Sequence, residues 1–441
     1  MVLRDDALYC PPLPLLWGFR GGPDTPGRRV HAMYASEMWR ARNLLGKLGL
    51  LLRFATWPVI VPLVAVYFTA INGRAIKQRG GRGVLAQFID QIGLAARYGV
   101  LPPWYYMFEL HRAENRAQAP EYLHRYETKA NLYRITKAYV EGKDGKELND
   151  KLLFARLCQR ADLPAPQIVA HVRDGGFETL EGDPIARDSI SLPQADLFTK
   201  PSKGKGGRGT SLARYLGEGR YEYSEGGTLT EPELIEALAA RSKEQPILIQ
   251  KRLFNHPDML DLCANALCCV RIMTCRNEDG GFEMTNAVLR MAQKMDSTVD
   301  GLHRGGIAAR VDVDSGALGL GTDLGFKPGV GWVETSPRNG AQIAGRVLPE
   351  WPATRDLVLR AHAVFAYKVW VGWDVAITPE GPVIVEGNGA PCVDILQRVD
   401  CEPLGQKRFG QLLAHHCAKA IAEYDRVRAG KLAEVLKSKK A

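Results

Sequence analysis

Val371-Gly372-Trp373-Asp374-Val375-Ala376-Ile377-Thr378-Pro379-Glu380-Gly381-Pro382-Val383-Ile384-Val385-Glu386-Gly387-Asn388 is the stretch from which the rest of the chain is read. Two runs rich in β-branched and apolar residues flank a Pro-Glu-Gly-Pro turn, the pattern of an antiparallel hairpin. Pairing the runs places Asp374, Glu386 and Asn388 at neighbouring positions. The spacing of two between Glu386 and Asn388 turns both side chains to one face. Two carboxylates and an amide oxygen together suit a hard cation such as Mg²⁺, which keeps waters and shares phosphate oxygens with a substrate. A solvent-facing polar hairpin would use the same residues.

Upstream, Leu197-Phe198-Thr199-Lys200-Pro201 reads as a short strand ending in a lysine, and Ser202-Lys203-Gly204-Lys205-Gly206-Gly207-Arg208-Gly209-Thr210 follows it. Glycines let backbone N–H groups approach phosphate oxygens, and lysines add positive charge. A Walker loop would run from its glycines through Lys-Ser/Thr into a helix. Here a strand resumes at Ser211, so the segment is expected to be a hairpin lid. A solvated connection would have a similar composition.

In order along the chain come a strand-end lysine, a Gly-rich lid, the strand Pro246 to Leu253, an arginine-bearing strand Cys269 to Thr274, and a late Asp, Glu-x-Asn hairpin. This combination resembles the ATP-grasp superfamily, and within it the sugar-transfer-associated proteins of polysaccharide biosynthesis. The pieces that suggest the subgroup are the hairpin itself, His303-Arg304-Gly305-Gly306-Ile307 and Leu348-Pro349-Glu350-Trp351. The resemblance spans roughly Asn149 to Glu423.

It implies an α+β chain with the ATP-grasp fold, two α/β lobes clamping ATP, behind an N-terminal helical extension. The expected segments are an extension over 1–83, a helical lead-in over 84–148, a nucleotide-clamping lobe over 149–254, a catalytic lobe over 255–428 and a basic tail over 429–441. The implied nucleotide contacts are Lys151, Lys200, Lys203, Gly204, Gly206, Gly207, Gly209, Gln250, Lys251 and Leu253. Family members often carry an acidic residue where Gln250-Lys251-Arg252 stands, so this sequence departs from the pattern there. Asp374, Glu386 and Asn388 would hold Mg²⁺, Arg271 and Lys200 would act on the transferred phosphoryl group, and His303 with Arg304 would address the acceptor.

The resemblance further implies a ligase that joins a carboxylate to an amine through an acyl phosphate, with a sugar acid, amino acid or aminosugar among its substrates. A kinase that stops at phosphoryl transfer would use the same metal site. A non-catalytic nucleotide-binding partner of a glycan-assembly machine is a further alternative.

The 441 residues carry a formal net charge of +9, which favours anionic partners. No basic-aromatic nucleic-acid motif accompanies that charge, so nucleic acid is not expected as a partner. Nine cysteines without a CxxC pair suggest reduced, buried thiols in a cytosolic compartment. The start, Met1-Val2-Leu3-Arg4-Asp5-Asp6, lacks a secretory pattern.

Residues 54–73 are uncharged, close to the length that crosses a bilayer, yet contain Pro58 and Pro62 and have basic residues on both sides. Three readings stay open: a span, an association with the inner membrane surface, and a buried or partner-facing helix. Trp104-Tyr105-Tyr106 and Phe108 are expected to pack against the ATP-binding core, with stacking on a sugar ring as the alternative. Asn149 or Asp150 should cap a helix beginning at Lys151, and Thr230-Glu231-Pro232-Glu233 is a capping box.

Overall fold

The computed structural model describes residues 11–438, except 20, 41, 130–131, 133–135, 137–145, 149, 204–208 and 296–300. Two antiparallel sheets dominate. The first contains β1 (Ile168–Arg173), β2 (Gly176–Glu178), β3 (Pro184–Ile185), β4 (Leu197–Pro201), β5 (Ser211–Gly217), β6 (Arg220–Tyr223), β7 (Gly227–Thr230) and β8 (Ile247–Lys251). Its spatial order is β3-β2-β1-β8-β4-β5-β6-β7. The second contains β9 (Cys269–Arg276), β10 (Phe282–Met291), β11 (Ile307–Val311), β12 (Leu318–Thr322), β13 (Trp332–Val333), β14 (Trp370–Thr378) and β15 (Gly381–Asn388). Its order is β13-β12-β11-β10-β9-β14-β15, which leaves the late hairpin at one edge.

The helix Lys151–Arg160 leads into the first sheet. Asp150 is its cap: the Leu152 and Leu153 N–H groups donate to Asp150 Oδ1 at 3.0 and 3.3 Å. The capping box forms as expected, with Glu233 accepting from the Thr230 backbone at the start of the helix Glu231–Ser242. That helix packs on a core of Ala170, Val172, Leu197, Ile247 and Ile249. The second sheet is covered on both faces. One face holds Ile272, Leu289, Ala309 and Trp373 against Leu357, Val358 and Phe365 of the helix Trp351–Val364 and its end. The other holds Met273, Cys275, Val288 and Trp370 against Phe409, Leu412 and Leu413 of the helix Arg408–Ser438.

Ahead of the sheets run α1 (Pro26–Arg40), α2 (Leu44–Ala55), α3 (Trp57–Gln78), α4 (Val84–Tyr98) and α5 (Pro102–Met107). Pro58 does not break α3, since it stands in the first turn, where its missing N–H leaves no bond unmade. Pro62 lies inside the helix. The aromatic group does not join the core of either sheet: Tyr105, Tyr106 and Phe108 are buried in a cluster of the helical region itself, with Phe68, Leu94 and Tyr122, which Leu324 and Phe326 border from the later part of the chain.

A buried ionic centre fastens this helical region to the second sheet. The Arg398 guanidinium reaches Glu109 Oε1 at 2.9 Å, Met107 O at 2.9 Å and Thr322 Oγ1 at 2.8 Å, and lies over the Trp332 ring. Close backbone packing adds to it: a Cβ on Gly405 would come within 2.3 Å of Glu121 O and 2.8 Å of Gly27 Cα.

One cysteine expectation is corrected. Cys263 and Cys268 form a disulfide, their Cα atoms 6.0 Å apart in the connection between the sheets, while Cys158, Cys269, Cys275, Cys392, Cys401 and Cys417 take part in no disulfide among the described residues. Spacing alone could not show that this short loop folds back far enough to bring the two sulfurs together.

Candidate functional site

The hairpin forms with a two-residue turn, since Thr378 pairs with Gly381, whose φ of 114° only glycine adopts without strain. Register then advances regularly to Val375 opposite Ile384, and there it shifts, so that Asp374 faces Glu386 and Gly372 faces Asn388. Without that shift Asp374 would face Val385, and Glu386 would share the face of Trp373, which is buried in the core. The bulge at Val385 therefore delivers both Glu386 and Asn388 to the face of Asp374.

Across the next ladder, Asp374 pairs directly with Arg271 of β9, and Arg271 with Val288 of β10. Arg290, two residues beyond Val288, points to the same face. Arg271 Nε and Nη2 donate to the two Asp374 oxygens at 2.5 and 2.9 Å, and Arg290 Nη2 stands 3.3 Å from Asp374 Oδ2. Burial raises the cost of the Asp374 charge, but the two guanidinium groups outweigh it and hold the carboxyl below its ordinary range. Arg271, expected to face a phosphoryl group, is thus committed to a bidentate ion pair. Arg290 escaped the sequence reading because its place beside Asp374 depends on the order of three strands.

Glu386 behaves differently. Burial first, and the facing Asp374 charge second, push its carboxyl above the ordinary range, with Lys151, Lys200 and Arg271 opposing. It lines a cavity together with Lys151, Lys200, Leu148, Phe154, Ile168 and Val385, so the strand-end lysine of the first sheet and the late carboxylate of the second meet. Lys200 is 9 % exposed, and burial, reinforced by the Lys151 charge, pulls its ammonium down to about 8. The Lys151 backbone N–H donates to Ser202 O at 3.3 Å, tying the helix start to the strand that carries Lys200.

The lid's flanks also take shape. β4 and β5 pair antiparallel, with Thr199 opposite Ser211, so a hairpin connection follows Lys200 as read. Gly204, Gly206 and Gly207 lie outside the described residues. Gly209 has φ +67°. Lys203 is largely exposed, 3.7 Å from Asp150 Oδ2. Arg241, unmarked in the sequence, donates to Thr199 Oγ1 at 2.9 Å and to the Tyr223 hydroxyl at 3.1 Å.

Gln250 sits on β8 between β1 and β4, buried, and its Oε1 accepts no hydrogen bond among the described residues. A buried acceptor left open suits a ligand's N–H donor. Lys251 and Leu253 are half-buried, and the Lys251 N–H is used by Gln167 O at 3.1 Å. His303 and Arg304 end a short 3₁₀ turn, Leu302–Arg304, with His303 exposed and outside the lining of the Lys200 cavity.

The oxygen set fits a hard divalent cation in one respect and qualifies it in another. Glu386 and Asn388 have no side-chain hydrogen bond among the described residues, and a cation would relieve the like-charge pressure on Glu386. Asp374 is already neutralised by two arginines, so Glu386 and Asn388 are the donors left open.

A family model described as sugar-transfer associated ATP-grasp matches residues 131–409. A search among curated proteins finds no match. Among solved structures, the chain is similar to D-alanyl-alanine synthetase A from Vibrio cholerae O1 biovar eltor, with a TM-score of 0.36, 10% identity, and coverage of 63% of this chain and 66% of that one. Similarity to the D-alanine-D-alanine ligase from Coxiella burnetii has a TM-score of 0.36 and 9% identity over 65% of this chain and 62% of that one. The ADP complex of an N5-carboxyaminoimidazole ribonucleotide synthetase matches with a TM-score of 0.32 and 10% identity, over 56% of this chain and 46% of that one, just under half its length.

Proposed function

Because this chain belongs to the sugar-transfer associated ATP-grasp family, we propose that it is an ATP- and Mg²⁺-dependent carboxylate–amine ligase working between lobes 149–254 and 255–428. The observation that carries the reading is the meeting of Lys151 and Lys200 with Glu386 in one cavity between the two sheets. Cations from one lobe and open oxygen donors from the other are what a bound triphosphate requires.

In this reading the Gln250 Oε1 accepts from the adenine amino group, and backbone at Lys251 and Leu253 flanks the ring. Lys151 and Lys200 hold phosphate oxygens under the lid formed by Lys203 and the glycines up to Gly209. Glu386 and Asn388 would hold Mg²⁺ with Asp374 beside them, and the ion, when bound, adds positive charge against the phosphates. Arg271 and Arg290, held beside Asp374, are the groups proposed to offset the spreading charge of the transferred phosphoryl group.

The γ-phosphoryl group passes from ATP to a carboxylate oxygen, giving an acyl phosphate and ADP. An amine then attacks the acyl carbon, expelling phosphate and losing a proton to leave an amide. The closed lid keeps water from the mixed anhydride. A sugar acid, or an amino acid joined to an aminosugar, is the proposed substrate pair, with His303 and Arg304 proposed at the acceptor side. The proposed setting is cytoplasmic synthesis of cell-surface polysaccharide or glycoconjugate.

The test is ADP release from purified protein against panels of carboxylates and amines with Mg²⁺, beside Glu386→Gln and Lys200→Met. Amine-dependent ADP release lost in both variants supports the ligase. A phosphorylated product without an amine requirement supports a kinase, and equal release by all three proteins refutes the site.

A further inference from the structure

We propose that α2, α3 and the start of α4 form a docking face for an anionic lipid bilayer, lying on its surface without crossing it. Large apolar side chains are presented to solvent on all three helices: Leu45 is 78% exposed, Leu52 71%, Leu63 63% and Leu85 71%. A soluble protein rarely leaves that much aliphatic surface together on consecutive helices.

Charge identifies the occupant. Between Met38 and Ile89 the sequence has no Asp or Glu, and it has Arg40, Arg42, Lys47, Arg53, Arg74, Lys77, Arg79 and Arg82, so this segment carries +8 of the chain's formal +9. Arg53 precedes α3, and Arg74, Lys77 and Arg79 occupy its C-terminal end; all four are exposed, with no carboxylate partner among the described residues. Apolar side chains with basic groups at both ends of the helix match acyl chains bordered by anionic headgroups. A second copy of this face would set like charges against each other.

The length of α3 and the apolar run within it would by themselves permit a span. Its inner side excludes one. Trp57, Val61, Ala65 and Phe68 are buried against the protein. Asn72 Nδ2 donates to Phe326 O at 3.0 Å between β12 and β13, Gln91 Nε2 donates to Thr69 Oγ1 at 2.7 Å, and Gln87 Nε2 donates to Gly73 O at 3.1 Å. Crossing would strip α3 from these partners and carry amide groups into hydrocarbon. A helix held on one side and apolar on the other lies in the interface plane.

The inference goes beyond the ligase reading and its test needs no nucleotide. Full-length protein is floated on density gradients with vesicles of phosphatidylcholine alone and of phosphatidylcholine mixed with phosphatidylglycerol. Flotation with the mixed vesicles, weakened by salt, is expected. Arg74→Gln, Lys77→Gln and Arg79→Gln combined should lower partition about a hundredfold, from the attraction typical of each basic residue at such a surface. Leu52→Glu with Leu63→Glu should abolish flotation, while thermal melts of both variants match the parent because these side chains face solvent. Release of the membrane-bound protein by alkaline carbonate is expected. The proposal is overturned if the parent floats with neither vesicle, if the variants float as well as the parent, if alkaline carbonate leaves the protein in the membrane, or if the face instead forms a dimer in solution that the same variants dissociate.

Discussion

Replacing Lys200 by methionine should make the protein more stable and less able to hold nucleotide at the same time. The Lys200 ammonium is buried, and desolvation together with the Lys151 charge brings it down to about 8, against 10.5 for an ordinary lysine. A gap of that size corresponds to about 3 kcal/mol, taking each pKa unit as about 1.4 kcal/mol. Below pH 8 the lysine is charged in folded and unfolded chains alike, and the whole cost of burying it falls on the folded state. Between about 8 and 10.5 the folded protein gives up the proton first, so the cost fades as pH rises, and above that range it is gone. Lys200→Met removes the cost but also one of the cations that offset Glu386, so the net gain at pH 7 should be about 1–2 kcal/mol. The loss of a charge-assisted phosphate contact should weaken ATP binding by about tenfold to a hundredfold. Urea denaturation at pH 7 and pH 10 measures the first effect and titration calorimetry with ATP the second; affinity of the parent should itself decline above about pH 8. A variant less stable than the parent at pH 7, or one that binds ATP equally well, would refute the reasoning.

Asp374→Asn and Glu386→Gln make the same chemical change at facing positions and should differ in stability. The first leaves Arg271 and Arg290 without their carboxylate and should cost about 3 kcal/mol in urea denaturation, while the second removes a carboxyl already under like-charge pressure and should be neutral or stabilising. Only Glu386→Gln therefore gives a clean reading of Mg²⁺-dependent nucleotide binding. Arg398→Met takes a buried guanidinium from Glu109, which keeps Arg112 and the Trp332 N–H, and from Met107 O and Thr322 Oγ1, and should lower stability by about 2–3 kcal/mol, with the helical region and the second sheet losing structure in one transition by circular dichroism. Asp400, lifted to about 6 chiefly by burial, lends stability below about pH 4 that is lost as pH rises through 6, so Asp400→Asn should raise the melting temperature at pH 8 and leave it unchanged at pH 3. Gly405→Ala places a methyl group against the Glu121 carbonyl and the Gly27 backbone, and should lower the melting temperature by several degrees.

The sequence by itself determined the elements whose causes are local. Alternation and the Pro-Glu-Gly-Pro turn fix the late hairpin, Asp150 and Thr230 with Glu233 fix two helix starts, and the strand on either side of the glycine-rich loop fixes a hairpin in place of a P-loop. The family resemblance carried by the order of motifs proposed Lys151, Lys200, Asp374, Glu386 and Asn388 as one set, and the fold brings Lys151, Lys200 and Glu386 to one cavity. What only the tertiary structure decided depends on neighbours distant in sequence. The bulge at Val385 chooses which face Glu386 occupies, and a one-residue slip in register leaves no trace in period-2 patterning. Arg271 and Arg290 reach Asp374 through the lateral order of three strands, so their engagement with a carboxylate could not be read from either strand alone. The solvent-facing leucines of α2 and α3 are apolar in sequence whether they are covered or bare, and only packing shows which side of each helix the protein itself covers. Composition counts charges and apolar groups; the fold decides what each one faces.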